Sequence, residues 1–321
     1  MNETAYRSAE AGLWATIDRK PTESYIRLPR IGTDVRVQEV GEGEPVVFIH
    51  GGTNAGATFV PMLADFLGYR CLLVDRPGVG LSAPYRLDAA GLPEFGARFV
   101  GDVLDGLGID RAHVVASSFG GHLALRSAAA EPRRVDRMVL LSCPALVPGE
   151  TLPPFIRGFR YRPIRWLVSA LPPNRRVGRV IFRQMGHGAT LDSHGLPAGF
   201  WEWSEALGAN TDTMRFETEM LGSVIRGADS GPPVLLNADL FAQVQAPTLF
   251  LWGADDRFGG PAVGRRIVAA MGDARQLDIP NAGHLPGLDF PDLVGEATRR
   301  YLDGEDDETI AHWMSSGARS R

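Results

Sequence analysis

The sequence predicts an α/β fold: a mainly parallel sheet with helices on both faces, interrupted once by a mostly helical segment. Three observations lead there. Short continuous apolar runs at 45–49 (PVVFI), 112–116 and 247–252 (PTLFLW) read as strands covered on both faces. Between them stand stretches with helical spacing, as at 92–107, where Phe95, Phe99, Val103 and Leu107 recur four apart. The two patterns alternate along the chain, which calls for parallel strands joined by helical crossovers.

In order, 23–28 and 34–40 read as strands joined by a turn at 31–33, and 45–49 as a buried strand. Helical spacing follows at 58–67, then a strand at 71–74 and the helix at 92–107. A strand at 112–116 runs into a helix at 121–129 that ends before Pro132, and 135–141 is again a strand. From about 147 to 243 the alternation stops, leaving Pro pairs, Gly breaks and helix-like stretches. It resumes with a strand at 247–252, a helix at 261–271, a strand at 275–279 and a helix at 292–302. The expected organisation is a core of 1–146 and 244–303, a helical cap at 147–243, and a flexible tail at 304–321, acidic and then rich in Ser, Gly and Arg.

Composition excludes several classes. With 44 % apolar and 22 % charged residues, the chain is not wholly disordered. Its net charge of −5 provides no general basic field, so nucleic acid is not an expected partner. Cys71 and Cys143 are too few for a disulfide framework and read as buried free thiols. No apolar run approaches the ~18 residues of a membrane span, and the first residues lack the apolar core of a signal peptide. The expected location is cytoplasmic, without stable membrane insertion. No acid and His spacing suggests a metal site, and the lone Gly78-Val79-Gly80 is too little for a nucleotide. No cofactor is expected.

The chemistry concentrates at strand ends. Val114-Val115-Ala116-Ser117-Ser118-Phe119-Gly120-Gly121 takes an apolar strand into a helix through a tight turn with Ser at its apex. Such an elbow needs small residues two before and two after the nucleophile, because neighbouring backbones pass close there. Ala116 and Gly120 meet that need for Ser118; centring the turn on Ser117 would put Val115 and Phe119 in those places. A serine hydroxyl needs a base, and the base an orienting group. His284, in Asn281-Ala282-Gly283-His284, lies on a loop just past a strand, where α/β sheets present their sites. Past the 247–252 strand come Asp255 and Asp256, of which Asp256, three residues after Gly253, is the expected partner. His50-Gly51-Gly52-Thr53 directly follows another strand, and its glycines let backbone N–H groups approach a substrate oxygen. The expected oxyanion donors are the N–H groups of Gly52 and Phe119.

On His50-Gly51-Gly52, the Asp75–Ser82 run DRPGVGLS, the Ser117 run SSFGG, the Trp252 run WGADD and Ala282-Gly283-His284, the chain resembles the α/β-hydrolase superfamily over roughly 23–303. The resemblance implies an eight-stranded, mostly parallel sheet with the cap inserted after the sixth strand, and a structural rather than catalytic role for the Asp75 segment. It does not fix the substrate. Haloalkane dehalogenases and epoxide hydrolases of this fold carry Asp at the elbow, whereas this chain has Ser118. Proline iminopeptidases usually have Trp after the serine, where Phe119 stands. Carbon–carbon bond hydrolases of aromatic degradation usually have Asn before it and a Gly-richer oxyanion loop with Pro; here those places hold Ser117 and Thr53-Asn54. The expectation is a serine hydrolase that cleaves a carboxylic ester or lactone with a hydrophobic group through an acyl-enzyme. A carbon–carbon bond hydrolase, perhydrolase or acyltransferase with the same triad is the alternative, and a non-catalytic ligand-binding protein the competing class.

The cap is rich in large apolar residues, among them Phe159, Trp166, Phe200, Trp203 and Met220; most should pack the cap on the core and some should line a pocket for a hydrophobic substrate. Its stretch 155–184 carries eight arginines from Arg157 to Arg183, with no acid between Thr151 and Leu191. Such a segment can attract an anionic substrate, an acidic carrier or a membrane surface.

Overall fold

In the computed structural model, which describes residues 2–64, 66–228 and 234–317, eight strands form one sheet. After a first helix, α1 (Glu3–Ala15), come β1 (Thr22–Leu28), β2 (Thr33–Val40), β3 (Glu44–Ile49), a 3₁₀ helix (Gly56–Leu63) and β4 (Tyr69–Val74). Then follow α2 (Leu92–Leu107), β5 (Ala112–Ser117), α3 (Phe119–Ala130) and β6 (Val135–Leu141). The insertion holds α4 (Pro154–Gly158), α5 (Arg162–Ala170), α6 (Arg175–Gln184), α7 (Gly188–Ser193), α8 (Phe200–Asn210), α9 (Thr213–Ala228) and α10 (Ala238–Gln243). The chain returns through β7 (Thr248–Gly253), α11 (Pro261–Ala270), β8 (Ala274–Ile279), α12 (Pro286–Asp289), α13 (Pro291–Leu302) and α14 (Asp307–Gly317).

The sheet order is β1-β2-β4-β3-β5-β6-β7-β8, and β2 alone runs against the rest. Alternate residues of the central strands feed two cores, one on each face. Val47, Ile49, Val114, Phe250 and Trp252 join the side chains of α2, α3, α10 and α11. Val46, Phe48, Val115, Leu249 and Leu251 join those of α1, the 3₁₀ helix, α12 and α13. This period-2 division is why the strand sequences read as continuous apolar runs.

Three features depart from the sequence expectations. The stretch 58–67, read as a helix, is largely the 3₁₀ helix Gly56–Leu63; Pro61 inside it has no N–H for a helical ladder. The supposed flexible tail at 304–321 contains α14, whose Ile310 is fully buried against α13 and the core, while 318–321 lie outside the described residues. The first helix was not foreseen. Its Glu10 is buried with Tyr6 and accepts hydrogen bonds from the Tyr6 hydroxyl (2.8 Å), Arg36 Nη1 (3.0 Å) and Gln38 Nε2 (3.0 Å).

The insertion does not form one layer. Its α8 packs Phe200, Trp203 and Leu207 into the α1-side core, while α4 and α9 send Ile156, Phe159, Met220 and Val224 into the opposite core. By contrast, α5 and α6 have no buried residue. Among the described residues, no helix is long and apolar enough to cross a membrane.

Candidate active site

Strands β4 and β5 flank β3 on opposite sides, so the chain's path reverses there, and sheets of this kind open their crevice at such a point. The loop after β3 and the turn after β5 border that crevice. Ser118 sits in the turn with φ 50° and ψ −118°, a region that costs a residue with a side chain of order 1–3 kcal/mol. Close backbone approach makes the turn possible. A Cβ on Gly51 would lie 3.0 Å from Ser118 Cβ, and one on Gly120 would collide with the Ile49 carbonyl. The Ser118 carbonyl accepts from His122 N and Ala145 N, both at 3.1 Å. Phe119 opens α3, so its N–H has no acceptor within the helix and lies at the positive end of the dipole. Thr53 and Ser142, at the ends of β3 and β6, also have positive φ, so strained backbone gathers at this edge of the sheet.

His284 and Asp256 come together. Nδ1 of His284 lies 2.9 and 3.0 Å from the two carboxylate oxygens of Asp256. A carboxylate only accepts, so Nδ1 carries the proton and Nε2 of the neutral ring keeps a lone pair. That Nε2 is buried and has no hydrogen-bond partner among the described residues, and the Phe258 ring stacks on the imidazole at 4.0 Å. Asp256 is itself held by Cys143 N (3.0 Å) and Phe258 N (2.8 Å), while Asp255 is exposed. Among the described residues Ser118 and His284 share no hydrogen bond. The loop after β6 links their surroundings, since Cys143 N binds Asp256 and Ala145 N binds Ser118. Burial, and then the Asp256 charge, push the Cys143 thiol well above its ordinary range.

Two further groups meet at the site that sequence reasoning did not select. Arg76 is buried behind the loop after β3, donating from Nε to His50 O (3.1 Å) and from Nη2 to Gly51 O (2.9 Å), with its guanidinium 5.0 Å from the Phe119 ring centre. Glu217, from α9 of the insertion, reaches down to it: Oε2 accepts from Arg76 Nη2 (2.7 Å) and from Thr53 N (2.8 Å). A Cβ on Gly52 would lie 3.6 Å from Glu217 Oε2 and from Leu221. Nothing in the local sequence marks Glu217, which stands 141 residues from its partner. His50 stays neutral, because burial first and Arg76 second hold its pKa well below the ordinary value; Nδ1 donates to Gly51 O (2.8 Å) and Nε2 accepts from Arg76 N (3.1 Å).

A second His–carboxylate pair lies behind the His284 loop. His187, between α6 and α7, has Nδ1 2.9 Å from both oxygens of Asp289, which also accepts from Gly283 N (2.7 Å) and from the Thr190 hydroxyl. Next to it, Met185 O accepts from His284 N (3.1 Å). Among the described residues, no group of three or more His, Cys, Asp or Glu could hold a metal ion.

Residues 46–297 match the alpha/beta hydrolase family, and the chain belongs to it: it is a hydrolase built on that sheet. Among its relatives, it is similar to the 2-hydroxy-6-oxononadienedioate/2-hydroxy-6-oxononatrienedioate hydrolase of Cupriavidus pinatubonensis, 29% identical over 82% of this chain and 89% of that protein. It is also similar to the 2-hydroxy-6-oxo-6-phenylhexa-2,4-dienoate hydrolase of Comamonas testosteroni, 30% identical over 78% of this chain and 84% of that one. Among solved structures, the Bacillus subtilis carboxylesterase CesB superposes with a TM-score of 0.72 at 18% identity, covering 95% of this chain and 99% of that one, a likeness of fold alone.

Proposed function

We propose that this hydrolase cleaves a carbon–carbon bond beside a ketone in an anionic, conjugated substrate of the 2-hydroxy-6-oxo-dienoate class, with Ser118, His284 and Asp256 as its catalytic residues. The observation that carries the reading is similarity over about four-fifths of the chain to hydrolases named for such substrates. The chemistry is compatible with the site. The bond to break joins C5 to the C6 ketone carbon. First the proton of the 2-hydroxyl passes to C5, giving a diketone. Ser118 Oγ then adds to C6 as His284 Nε2 takes its proton, and the N–H groups of Gly52 and Phe119 hold the oxyanion. Collapse expels C5 as a dienolate, stabilised by the carbonyl now at C2, which takes the proton from His284. Water releases the acyl group as a carboxylic acid. Asp256 holds the Nδ1 tautomer throughout.

The second reading is hydrolysis of a carboxylic ester or lactone with a hydrophobic group, in which the leaving group is an alkoxide and the proton shift to carbon is unnecessary. Ser117 favours it, since it stands where carbon–carbon hydrolases of this fold usually have Asn, and its buried hydroxyl has no partner among the described residues. The test is kcat/KM for 2-hydroxy-6-oxo-6-phenylhexa-2,4-dienoate, followed by loss of its absorbance, against a short nitrophenyl ester. The proposal expects at least about a hundredfold preference for the dienoate, which corresponds to roughly 2.7 kcal/mol. A preference for the ester selects the second reading. Either activity persisting at the wild-type rate in Ser118→Ala overturns the nucleophile.

A further inference from the structure

We infer that the α5–α6 arm of the insertion is a docking surface for an anionic lipid bilayer. The two helices are amphipathic yet bury nothing. Ile164, Leu167 and Leu171 recur along α5 and its end, and Val177 and Val180 along α6; all are exposed, as is Trp166 at 71%. These large apolar side chains fall within the short stretch 164–180, with Trp166 on the groove side of α5, whereas the rest of the described surface exposes few of them. Such a concentration marks an interaction site rather than the ordinary scatter of surface apolar residues.

Charge identifies the partner. The arm carries no acid anywhere between Thr151 and Leu191. Arg175 and Arg183 are paired with acids of neighbouring helices, Glu202, Glu205 and Asp192. Arg162 and Arg176, by contrast, are exposed and have no ion-pair partner among the described residues. Beside α5 a groove of about 870 Å³ is lined by Arg86, Arg162, Arg165 and Arg215 against the acids Asp212 and Glu219. A second copy bound through the same face would oppose arginine to arginine, because a two-fold contact sets a patch against itself. An anionic bilayer accepts both halves of the pattern: aromatic and aliphatic side chains enter the boundary between headgroups and acyl chains while arginines stay at the phosphates. Attraction of this kind is screened within about 8–10 Å at physiological salt.

The experiment is vesicle flotation with the full chain, using phosphatidylglycerol–phosphatidylcholine and pure phosphatidylcholine vesicles at low and high salt. The expected result is at least tenfold tighter binding to the anionic vesicles at low salt, weakened by salt, and lost in both R162E/R176E and W166S/L171S with thermal unfolding unchanged. Failure of the wild-type chain to float with anionic vesicles at low salt overturns the proposal without reference to any variant. Binding that survives both double substitutions places the contact elsewhere and overturns it too. So does a dimer in light scattering that W166S/L171S dissolves, since the face would then belong to a second copy. None of these readouts depends on which bond the enzyme cleaves.

Discussion

Two His–carboxylate pairs in this molecule have nearly the same local geometry and sit in different regions. His284 with Asp256 bridges two loops of the sheet's carboxyl edge; His187 with Asp289 joins the insertion to the core. In both, Nδ1 lies 2.9 Å from a carboxylate oxygen and Nε2 is buried without a partner among the described residues. What differs is the surroundings. Asp256 is fixed by the loop after β6 that also holds the Ser118 carbonyl, whereas Asp289 binds Thr190 of α7 and the backbone of Gly283. A His–Asp pair is therefore not in itself a catalytic signature. Under the proposed mechanism, its place relative to Ser118 and the N–H groups of Gly52 and Phe119 assigns one pair to proton transfer and leaves the other to fasten the insertion.

The largest expected effects separate the two pairs by kind. Ser118→Ala should lower kcat by about 10⁴-fold or more while thermal unfolding stays near that of the wild type, and His284→Ala should lower kcat as far while also costing about 3 kcal/mol of stability, because it leaves Asp256 buried without its partner. His187→Ala should do the reverse. It leaves Asp289 without its buried partner, so stability should fall by about 3 kcal/mol, while the folded fraction still labels at Ser118 with a fluorophosphonate. A fully folded His187→Ala protein that fails to label would break the distinction.

Glu217→Gln tests the other link between insertion and site. The amide keeps the size of the carboxylate but leaves Arg76 buried without its neutralising charge. Stability should drop by roughly 2 kcal/mol, and kcat should fall about tenfold with the loosened Gly52–Thr53 loop, a ratio equal to roughly 1.4 kcal/mol. A change in KM alone would argue that the residue contacts substrate instead.

The segment leading from β6 into the insertion supplies a pH test. Burial, and then the Asp256 carboxylate, push the Glu150 carboxyl up from its ordinary 4.5 to about 8. Between those values the folded state holds a proton that the unfolded chain has lost, so this group's contribution to stability falls as pH rises from about 4.5 to 8. Glu150→Gln should flatten that decline in denaturant titrations between pH 5 and 8. An equal slope in the variant would remove Glu150 as the cause. The smallest effect belongs to the arm that neither pair fastens. Val177→Ser on α6 should shift stability by no more than about 0.5 kcal/mol, whereas Trp203→Ala on α8 should cost about 3–5 kcal/mol because that ring is wholly buried.

The sequence by itself determined the sheet and the strand-end residues, because both depend on local rules. Strand pairing demands apolar side chains on both faces, so PVVFI and TLFLW could be read directly. The turn at Ser118 demands Ala116 and Gly120 two residues away. His284 and Asp256 follow their strands within a few residues, so their neighbourhood was legible without knowledge of distant contacts. Tertiary structure alone decided what depends on residues far apart. Glu217 meets Thr53 across 164 positions and His187 meets Asp289 across 102, and neither has a local pattern to announce it. The same holds for the insertion: Phe200, Trp203 and Met220 are buried while Trp166 and Leu167 are exposed. Composition gives all five the same apolar character, and only the packing of α8 on α1 and of α9 against the opposite core distinguishes them. Burial is a property of the partner surface as much as of the residue, so the strands could be read from their own side chains and the insertion could not.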